Sequence, residues 1–419
     1  MDYNQNNIPN QNPQYFNPYG YNQNTGYNPN NMNNPYNPNG QNPYYNAPQQ
    51  NMNAYYGHMP YGVPNNAQNS AQNYFNNQQR FLRLREQKNE LRKYSTVFAI
   101  TMLSFLFASY IISFILSFGD LMSLYENNST FSASIGIFYS IFAVGFPFFI
   151  ANKYLSKNKL QSETAKTIYS APKNPLKTIS LIFVAVLGCI GSMYISGLVT
   201  VFFNAFGYDV SAGGEPNVKS VMDIVALFVG TAIIPPLVEE FAMRNVLMQS
   251  LRKYGNLFAV LASAFSFGIF HGTPAQIPFA FLCGLFIGYA VIATESIWTG
   301  VIIHAIVNGI SCVYYAAAFL TDEDTGDTIY SAILGVLAIL GVIGLIIYIS
   351  EYRTEFSRLV NFNGLNDYTN GQKLKKFIFT PMMIIAIIVF IIQAIGCITP
   401  MTDTTVWCAT KILWKKHSF

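Results

Sequence analysis

Long apolar runs separated by short polar segments recur along the chain from residue 97 to residue 398. A transmembrane helix needs about 20 consecutive apolar residues, and nine stretches reach or approach that length. The pattern therefore predicts an all-α, polytopic transmembrane helical bundle with about eight or nine spans, of which those between 257 and 293 are the shortest. The predicted spans lie near residues 97–118, 131–151, 178–203, 221–238, 257–271, 275–293, 298–320, 329–350 and 377–398.

The first 79 residues follow a different pattern. They carry a single charged residue, Asp2, and consist largely of Asn, Gln, Tyr and Pro. Such a segment has no aliphatic periodicity to bury, so it cannot offset the entropy lost on ordering. We therefore expect 1–79 to be a disordered arm without an enzymatic role. A basic, helix-prone juxtamembrane segment at 80–95 follows it directly.

The overall composition supports a membrane protein and excludes several soluble classes. Hydrophobic residues make up 51% of the chain and charged residues only 11%, whereas soluble domains carry about 25% charged residues. The net charge of +4 is too small to indicate a nucleic-acid partner. The five cysteines are scattered without a C-x-x-C pair, so they predict neither a disulfide framework nor a thiolate metal site.

The loop charges predict the orientation. Lys and Arg concentrate in four segments, whereas the intervening loops contain one such residue, Lys219. Because cytoplasmic loops carry the excess of Lys and Arg, we expect a multi-pass cell-membrane protein with a cytoplasmic N-terminus. Its basic C-terminal tail would then lie outside, against the rule, unless the last apolar segment is re-entrant. The basic segments are 80–93, 152–177, 244–253 and 351–376, and the intervening loops are 119–130, 204–220 and 321–328.

Few ionisable residues occur near the predicted spans, where such residues are costly and usually functional. Only His271 and His304 among the four histidines lie in apolar segments, and Glu239-Glu240 is the only pair of adjacent glutamates in the chain. Glu240 and Arg244 are spaced i,i+4, so they can pair on one helical face. Glu239 points about 100° away from Glu240 and stays available as a base.

Phe267 and His271 share a helical face, as do His304 and Asn308, because each pair is also spaced i,i+4. Counting about 1.5 Å per residue from the nearest turns places Glu239 and both histidines in one band of the cytoplasmic leaflet. Taken singly, these groups have simpler interpretations. The acidic pair could end a helix, either histidine could be a buried core residue, and His304 with Asn308 could join helices by hydrogen bonds. Their common depth favours a functional site.

Three motifs now resemble those of a known family. They are E-E-x-x-x-R at 239–244, F-x-x-x-H at 267–271 and H-x-x-x-N at 304–308. In this order on consecutive apolar helices, they look like the motifs of the CPBP (Abi, CAAX-protease) intramembrane proteases, which include the Ras-converting CAAX endopeptidases. Met243 and Asn245 depart from the Phe-Arg-Gly of many relatives. The predicted division is then the first two spans with their loop at 96–177, a catalytic core at 178–320, and C-terminal helices with a tail at 321–419.

The resemblance implies an endopeptidase that hydrolyses a peptide bond of a membrane-associated protein or peptide. Glu239 would be the general base, and His271 would help it to activate water. His304 and Asn308 would stabilise the oxyanion or position water or substrate, while Glu240, Arg244 and Phe267 would support the site. No cofactor follows from it. If zinc is used, Glu239, His271 and His304 would be its ligands, but the chain lacks H-E-x-x-H, which favours a metal-free mechanism.

Two other functions use the same features. One is a catalytically idle membrane scaffold or immunity-type protein that binds a partner, with the motifs kept for helix packing. The other is a small-solute or proton transporter, which the lack of an evident inverted repeat disfavours. Prenylated CaaX proteins are one substrate class of the family, and nothing in this composition singles them out.

Overall fold

The computed structural model describes residues 65–162, 164–210, 216, 218–361 and 367–401. The described part is almost entirely helical, as predicted. Its helices are α1 (Asn65–Leu116), α2 (Leu121–Asn127), α3 (Ser129–Lys157), α4 (Thr164–Thr167), α5 (Pro175–Ala205), α6 (Val221–Tyr254), α7 (Asn256–Phe270), α8 (Gln276–Thr294), α9 (Ile297–Leu320), α10 (Glu323–Asn361), α11 (Asn370–Ile378) and α12 (Pro381–Gly396). Two short strands, β1 (Tyr208–Asp209) and β2 (Thr399–Pro400), pair antiparallel.

Seven of the described helices are long and apolar enough to cross a membrane, namely α1, α3, α5, α6, α8, α9 and α10. Helices α11 and α12 meet at a bend of 74° and give an eighth span if they are counted together. The predicted span near 257–271 corresponds to α7, which has 15 residues. At about 1.5 Å per residue it is shorter than the roughly 30 Å hydrocarbon core. The polytopic helical bundle is confirmed, with seven or eight spans among the described residues compared with nine apolar runs.

The first helix begins earlier than expected. Residues 65–79, which we predicted as part of the polar arm, form the initial turns of α1. The last proline of the arm is Pro64, and the sequence after it contains Ala and Gln but no helix-breaking Pro or Gly. A helix extends readily from an already formed segment, since only its nucleation is costly. The predicted disorder of 1–64 concerns residues that lie outside the described part.

Helix α6 contains two π-helical segments, Phe228–Ile233 and Phe241–Met248. The first precedes Pro235, whose ring clashes with the carbonyl group four residues earlier and which has no N–H to donate. That carbonyl belongs to Thr231, and it accepts a hydrogen bond from Nδ2 of Asn308 at 3.1 Å instead. The prolines therefore widen the helix locally, as is common at functional sites, and they expose a carbonyl that α9 satisfies.

Small residues let neighbouring helices approach α6 and α7 closely. Gly230 of α6 lies against Ala133 of α3, where a Cβ on the glycine would come within 3.3 Å of the alanine Cβ. Gly284 of α8 lies against Ala264 of α7, with a corresponding distance of 2.9 Å to the alanine Cα. These close approaches hold α3 against α6 and α8 against α7, two of the helices that carry the motifs.

Polar contacts at and beside the loops define two ends of the bundle. At one end, Nζ of Lys253 lies 2.9 Å from Oε2 of Glu90, and Oγ of Ser296 donates to the carbonyl of Ser170 at 2.7 Å. At the other end, Oγ1 of Thr130 donates to Oδ1 of Asp223 at 3.0 Å. The pattern follows the alternation of basic and non-basic loops that the sequence predicts.

The final described segment belongs to the non-basic end. Strand β2 follows α12 and pairs with β1, which follows α5, in a register that sets Tyr208 opposite Pro400. Helix α12 therefore ends beside the loop after α5, rather than returning to the end where it starts, as a re-entrant segment would.

One cysteine differs from the prediction. Cys189, Cys283 and Cys312 are free and buried, but Cys397 is disulfide-bonded. The spacing of cysteines along the chain did not predict this bond.

Candidate active site

A small cavity lies among α3, α6, α8 and α9, next to the end of α7. Its volume is about 50 Å³, and a buried water occupies roughly 10–15 Å³ on the same kind of measure, so the cavity accommodates a few waters. Residues of all three sequence motifs line it: Glu239, Phe267, His271, His304 and Asn308.

The adjacent glutamates have different surroundings. Glu239 lines the cavity and is 4% exposed. Glu240 is fully buried, and its Oε2 lies 3.1 Å from Nε of Arg244, which is also fully buried. The i,i+4 spacing thus places Glu240 beside the arginine and turns Glu239 toward the cavity, because successive helical positions differ by about 100°.

The Arg244 guanidinium is held by charge and by an aromatic face. Its Nε is near Glu240, but the atoms are not aligned as a hydrogen bond, and none of its side-chain nitrogens has a hydrogen-bond acceptor within the described residues. The guanidinium carbon lies 4.8 Å from the centre of the Phe267 ring. A cation over an aromatic face is attracted by the quadrupole of the ring. Phe267 therefore contributes to holding this buried charge.

His304 lies between the two carboxylates. Its Nδ1 is 3.1 Å from Oε1 of Glu240, a hydrogen-bond distance, and its Nε2 is 4.0 Å from Oε2 of Glu239. A carboxylate only accepts hydrogen bonds, so Nδ1 carries the hydrogen that Glu240 receives. Glu240 consequently contacts both Arg244 and His304. The sequence predicted the first of these contacts but not the second.

His271 ends α7 and has its orientation fixed by its own helix. Its Nδ1 lies 2.8 Å from the carbonyl oxygen of Phe267. Because a carbonyl only accepts, Nδ1 carries the hydrogen, and Nε2 of the neutral ring then has a lone pair. The Phe267 ring meets both imidazoles edge to face, with centroids 4.7 Å from that of His271 and 5.7 Å from that of His304. Phe267 thus fixes the spacing of the two histidines.

Asn308 lines the cavity and also joins two helices. Its Nδ2 donates to the carbonyl of Thr231, the group freed by Pro235. The asparagine therefore connects α9 to the distorted turn of α6, one turn along α9 from His304.

Gly300 is a site residue that the sequence analysis missed. A Cβ at this position would lie 2.7 Å from Oε2 of Glu240 and 2.7 Å from Cγ2 of Val291. Gly300 precedes His304 by four residues, so both lie on one face of α9. That spacing was the available signal, because the H-x-x-x-N motif already identified this face.

The candidate zinc ligands Glu239, His271 and His304 are not arranged to bind one metal ion together. Within the described residues, no group of three or more His, Cys, Asp or Glu side chains is placed to hold a metal ion. Both ring nitrogens of His304 face carboxylates, and Nδ1 of His271 faces a backbone carbonyl.

The chain was compared with models of protein families. Residues 221–310 match the family model described as Rce1-like, Type II CAAX prenyl endopeptidase Rce1-like. The matched segment contains all three motifs and supports the resemblance stated from the sequence. Searches of curated proteins and of solved structures found no match.

Proposed function

Since residues 221–310 carry the signature of the CPBP/CAAX protease family, we propose that this protein is an intramembrane endopeptidase that hydrolyses a peptide bond of a membrane-associated protein or peptide. The observation that carries the proposal is a buried carboxylate, Glu239, in a water-sized cavity that two imidazoles also line. General-base catalysis requires such a group within reach of a water and of the reacting carbonyl.

In the proposed reaction, a water in the cavity attacks the peptide carbonyl and gives a proton to Glu239. The Nε2 lone pair of His271 accepts a hydrogen bond from the same water and orients it. Glu239 then returns the proton to the leaving amine nitrogen, so the base of the first step is the acid of the second. The low-dielectric surroundings strengthen each of these interactions compared with bulk water.

His304 and Asn308 would stabilise the negative charge that develops on the carbonyl oxygen. The imidazolium form of His304 donates from Nε2 while its Nδ1 stays on the Glu240 carboxylate. Asn308 donates from its amide nitrogen. In this account Glu240, Arg244 and Phe267 hold His304 and His271 in place.

We place the protein in the cell membrane with a cytoplasmic N-terminus. Support comes from ion pairs that join the basic segments to one another. Lys253 pairs with Glu90, and Lys177 pairs with Glu355, each at 2.9 Å. Such Lys- and Arg-rich loops mark the cytoplasmic side. The cavity then lies slightly nearer to that side, because Glu239 is 15 residues before the end of α6 and 18 residues after its start.

The catalytically idle scaffold is the second candidate. The observation that favours it is internal pairing, since Asn308 and Glu240 already have partners that tie helices together. It differs from the protease in one respect that can be measured: a scaffold does not need the carboxylate of Glu239.

The test is incubation of the purified protein with a library of membrane peptides in water enriched in ¹⁸O. The library should include apolar transmembrane segments and a farnesylated CaaX peptide, and Glu239→Ala is the comparison. We expect cleavage by the wild type with one ¹⁸O in each new carboxyl group, and none by the variant. Binding without cleavage by both proteins would support the scaffold, and equal cleavage by both would reject Glu239 as the base.

A further inference from the structure

The cavity has a polar lining beyond the three motifs. Tyr139, Ser140, Thr231 and Gln276 also face it. The first three hydroxyl groups have partners within the bundle. The hydroxyl of Tyr139 is 2.8 Å from Oγ of Ser109, Oγ of Ser140 donates to the carbonyl of Gly136 at 3.0 Å, and Thr231 contacts the thiol of Cys312.

Gln276 differs from these three. It begins α8 and is 4% exposed. Its Oε1 accepts from Oγ1 of Thr273 at 3.3 Å, and its backbone N–H donates to the same hydroxyl at 3.4 Å. Among the residues that the structure describes, Nε2 has no hydrogen-bond partner. The amide is thus anchored at its oxygen, with an unpaired donor in a cavity.

A peptide whose scissile carbonyl is presented to this cavity creates a need for donors. Cleavage requires an extended segment around the scissile bond, so its carbonyl groups lose the hydrogen bonds they made in a helix. No bulk water replaces those bonds inside the membrane. A buried, pre-oriented amide donor satisfies such a carbonyl at little cost in side-chain ordering, because the side chain is already held.

We propose that Gln276 is a substrate-binding residue whose Nε2 donates to a main-chain carbonyl oxygen of the bound peptide, next to the scissile bond. The inference rests on the proposed function and names a contact of the same site. It assigns recognition of peptide backbone, rather than of a particular side chain, to this edge of the cavity.

The competing role for Gln276 is structural. Thr273-x-x-Gln276 has the spacing of a capping box, in which the two side chains satisfy the first backbone groups of a helix. Capping uses Oε1 and the backbone N–H, whereas substrate binding uses Nε2. Gln276→Met removes the amide with both its cap contact and its donor, whereas Thr273→Val removes the cap and the amide's anchor but keeps the Nε2 donor, so the two variants separate the roles.

The experiment measures binding of a fluorescent peptide, the library peptide that the wild type cleaves best, to proteins that also carry Glu239→Gln. A matched series replaces each main-chain carbonyl of that peptide by a methylene group in turn. We expect Gln276→Met to weaken binding of the unmodified peptide about five- to tenfold, near the upper range for one hydrogen bond. One methylene-substituted peptide should bind equally to proteins with and without Gln276→Met. Thr273→Val should lower the melting temperature and weaken peptide binding by clearly less than Gln276→Met, because it loosens the amide without removing its donor.

Equal weakening of every peptide by Gln276→Met, or no weakening, would overturn the inference, as would a binding loss for Thr273→Val as large as for Gln276→Met. These outcomes leave the proposed function intact if the wild type still cleaves. If the wild type neither binds nor cleaves any library peptide, the proposed function fails and this contact fails with it.

Discussion

Glu239 and Glu240 are neighbours in sequence, yet their side chains meet different groups. Glu240 lies against Arg244 and His304, whereas Glu239 lines the cavity at 4.0 Å from His304. Buried charges are stable only when they are paired, so removing one partner of a pair leaves an uncompensated charge. The two positions should therefore respond differently to the same substitution.

We predict that Glu240→Gln and Arg244→Gln each destabilise the fold by about 3–5 kcal/mol, the usual cost of breaking a buried ion pair. Glu239→Gln should melt close to the wild type, because among the described residues the closest ion-pair partner of this carboxylate is His304, and that distance is a long 4.0 Å. Thermal melts in detergent measure the difference. Lys219→Gln, which removes an exposed cation, is the control and should have no effect. A wild-type melting temperature for Glu240→Gln would show that the pair contributes nothing to stability.

The sequence alone predicted which side chains line the cavity better than it predicted their contacts. Scarcity of ionisable residues in apolar runs, with i,i+4 spacing, was enough to select Glu239, His271, His304 and Asn308. The contact between His304 and Glu240 depends on how α9 is rotated against α6, and the sequence does not determine that rotation. Gln276 was missed for another reason, since a single glutamine at a helix start carries no motif.

At the scale of elements, the packing of α9 against α6 depends on the absence of a side chain at Gly300. Any Cβ there would meet the Glu240 carboxylate and Val291 at 2.7 Å, closer than real Cβ contacts. Gly309 lies on the same helix but is less crowded, because a Cβ at that position would have the Cβ of Ala232 as its nearest neighbour, at 3.8 Å.

We predict that Gly300→Ala lowers stability by about 1–3 kcal/mol, the typical cost of overpacking a core, and reduces cleavage by moving Glu240 and with it His304. Gly309→Ala is the matched control and should be close to neutral, with a slight gain in helix propensity. Melting temperature and initial cleavage rate would be recorded for both variants. Equal behaviour of the two alanine variants would contradict the close approach of α9 to Glu240.

Element boundaries were predictable where long apolar runs define them, and less so elsewhere. The apolar run at 257–271 predicted a short span, but the helix it forms has 15 residues and is shorter than the hydrocarbon core. The helical turns at 65–79 extend from α1, an effect of neighbouring structure that composition does not reveal. A proline such as Pro235 distorts a helix, but its position does not show that the distortion is a π-helical segment or that Asn308 satisfies the freed carbonyl.

At the scale of the whole molecule, the basic loops gather at one end of the bundle, and the loop after α5 meets the segment after α12 at the other. The orientation of the bundle in the membrane follows from which end faces the cytoplasm. Because cytoplasmic loops carry the excess of Lys and Arg, we expect the first of these ends to face the cytoplasm. Lys373 belongs to that end but is fully buried, with Nζ donating to the carbonyl of Tyr254, so it is unsuitable as an accessibility probe.

We predict that cysteines introduced at the exposed positions Lys157 and Lys375 resist impermeant thiol reagents in intact cells and react after the cells are opened. Cysteines at the exposed positions Asp120 and Asp322, from the opposite end, should react in intact cells. The unsubstituted protein provides the background signal. Labelling of Lys157→Cys from outside would reverse the proposed orientation.

The central claim is that Glu239 activates water for peptide hydrolysis, and single-turnover cleavage of one library peptide tests it most directly. Glu239→Gln should retain the wild-type melting temperature while the cleavage rate falls by roughly 10² or more, as expected on loss of a general base. His271→Ala should cause a similar loss, and the double variant Glu239→Gln/His271→Ala should be little slower than either single variant, because the two groups act as one unit. A folded Glu239→Gln protein that cleaves at the wild-type rate would contradict the account.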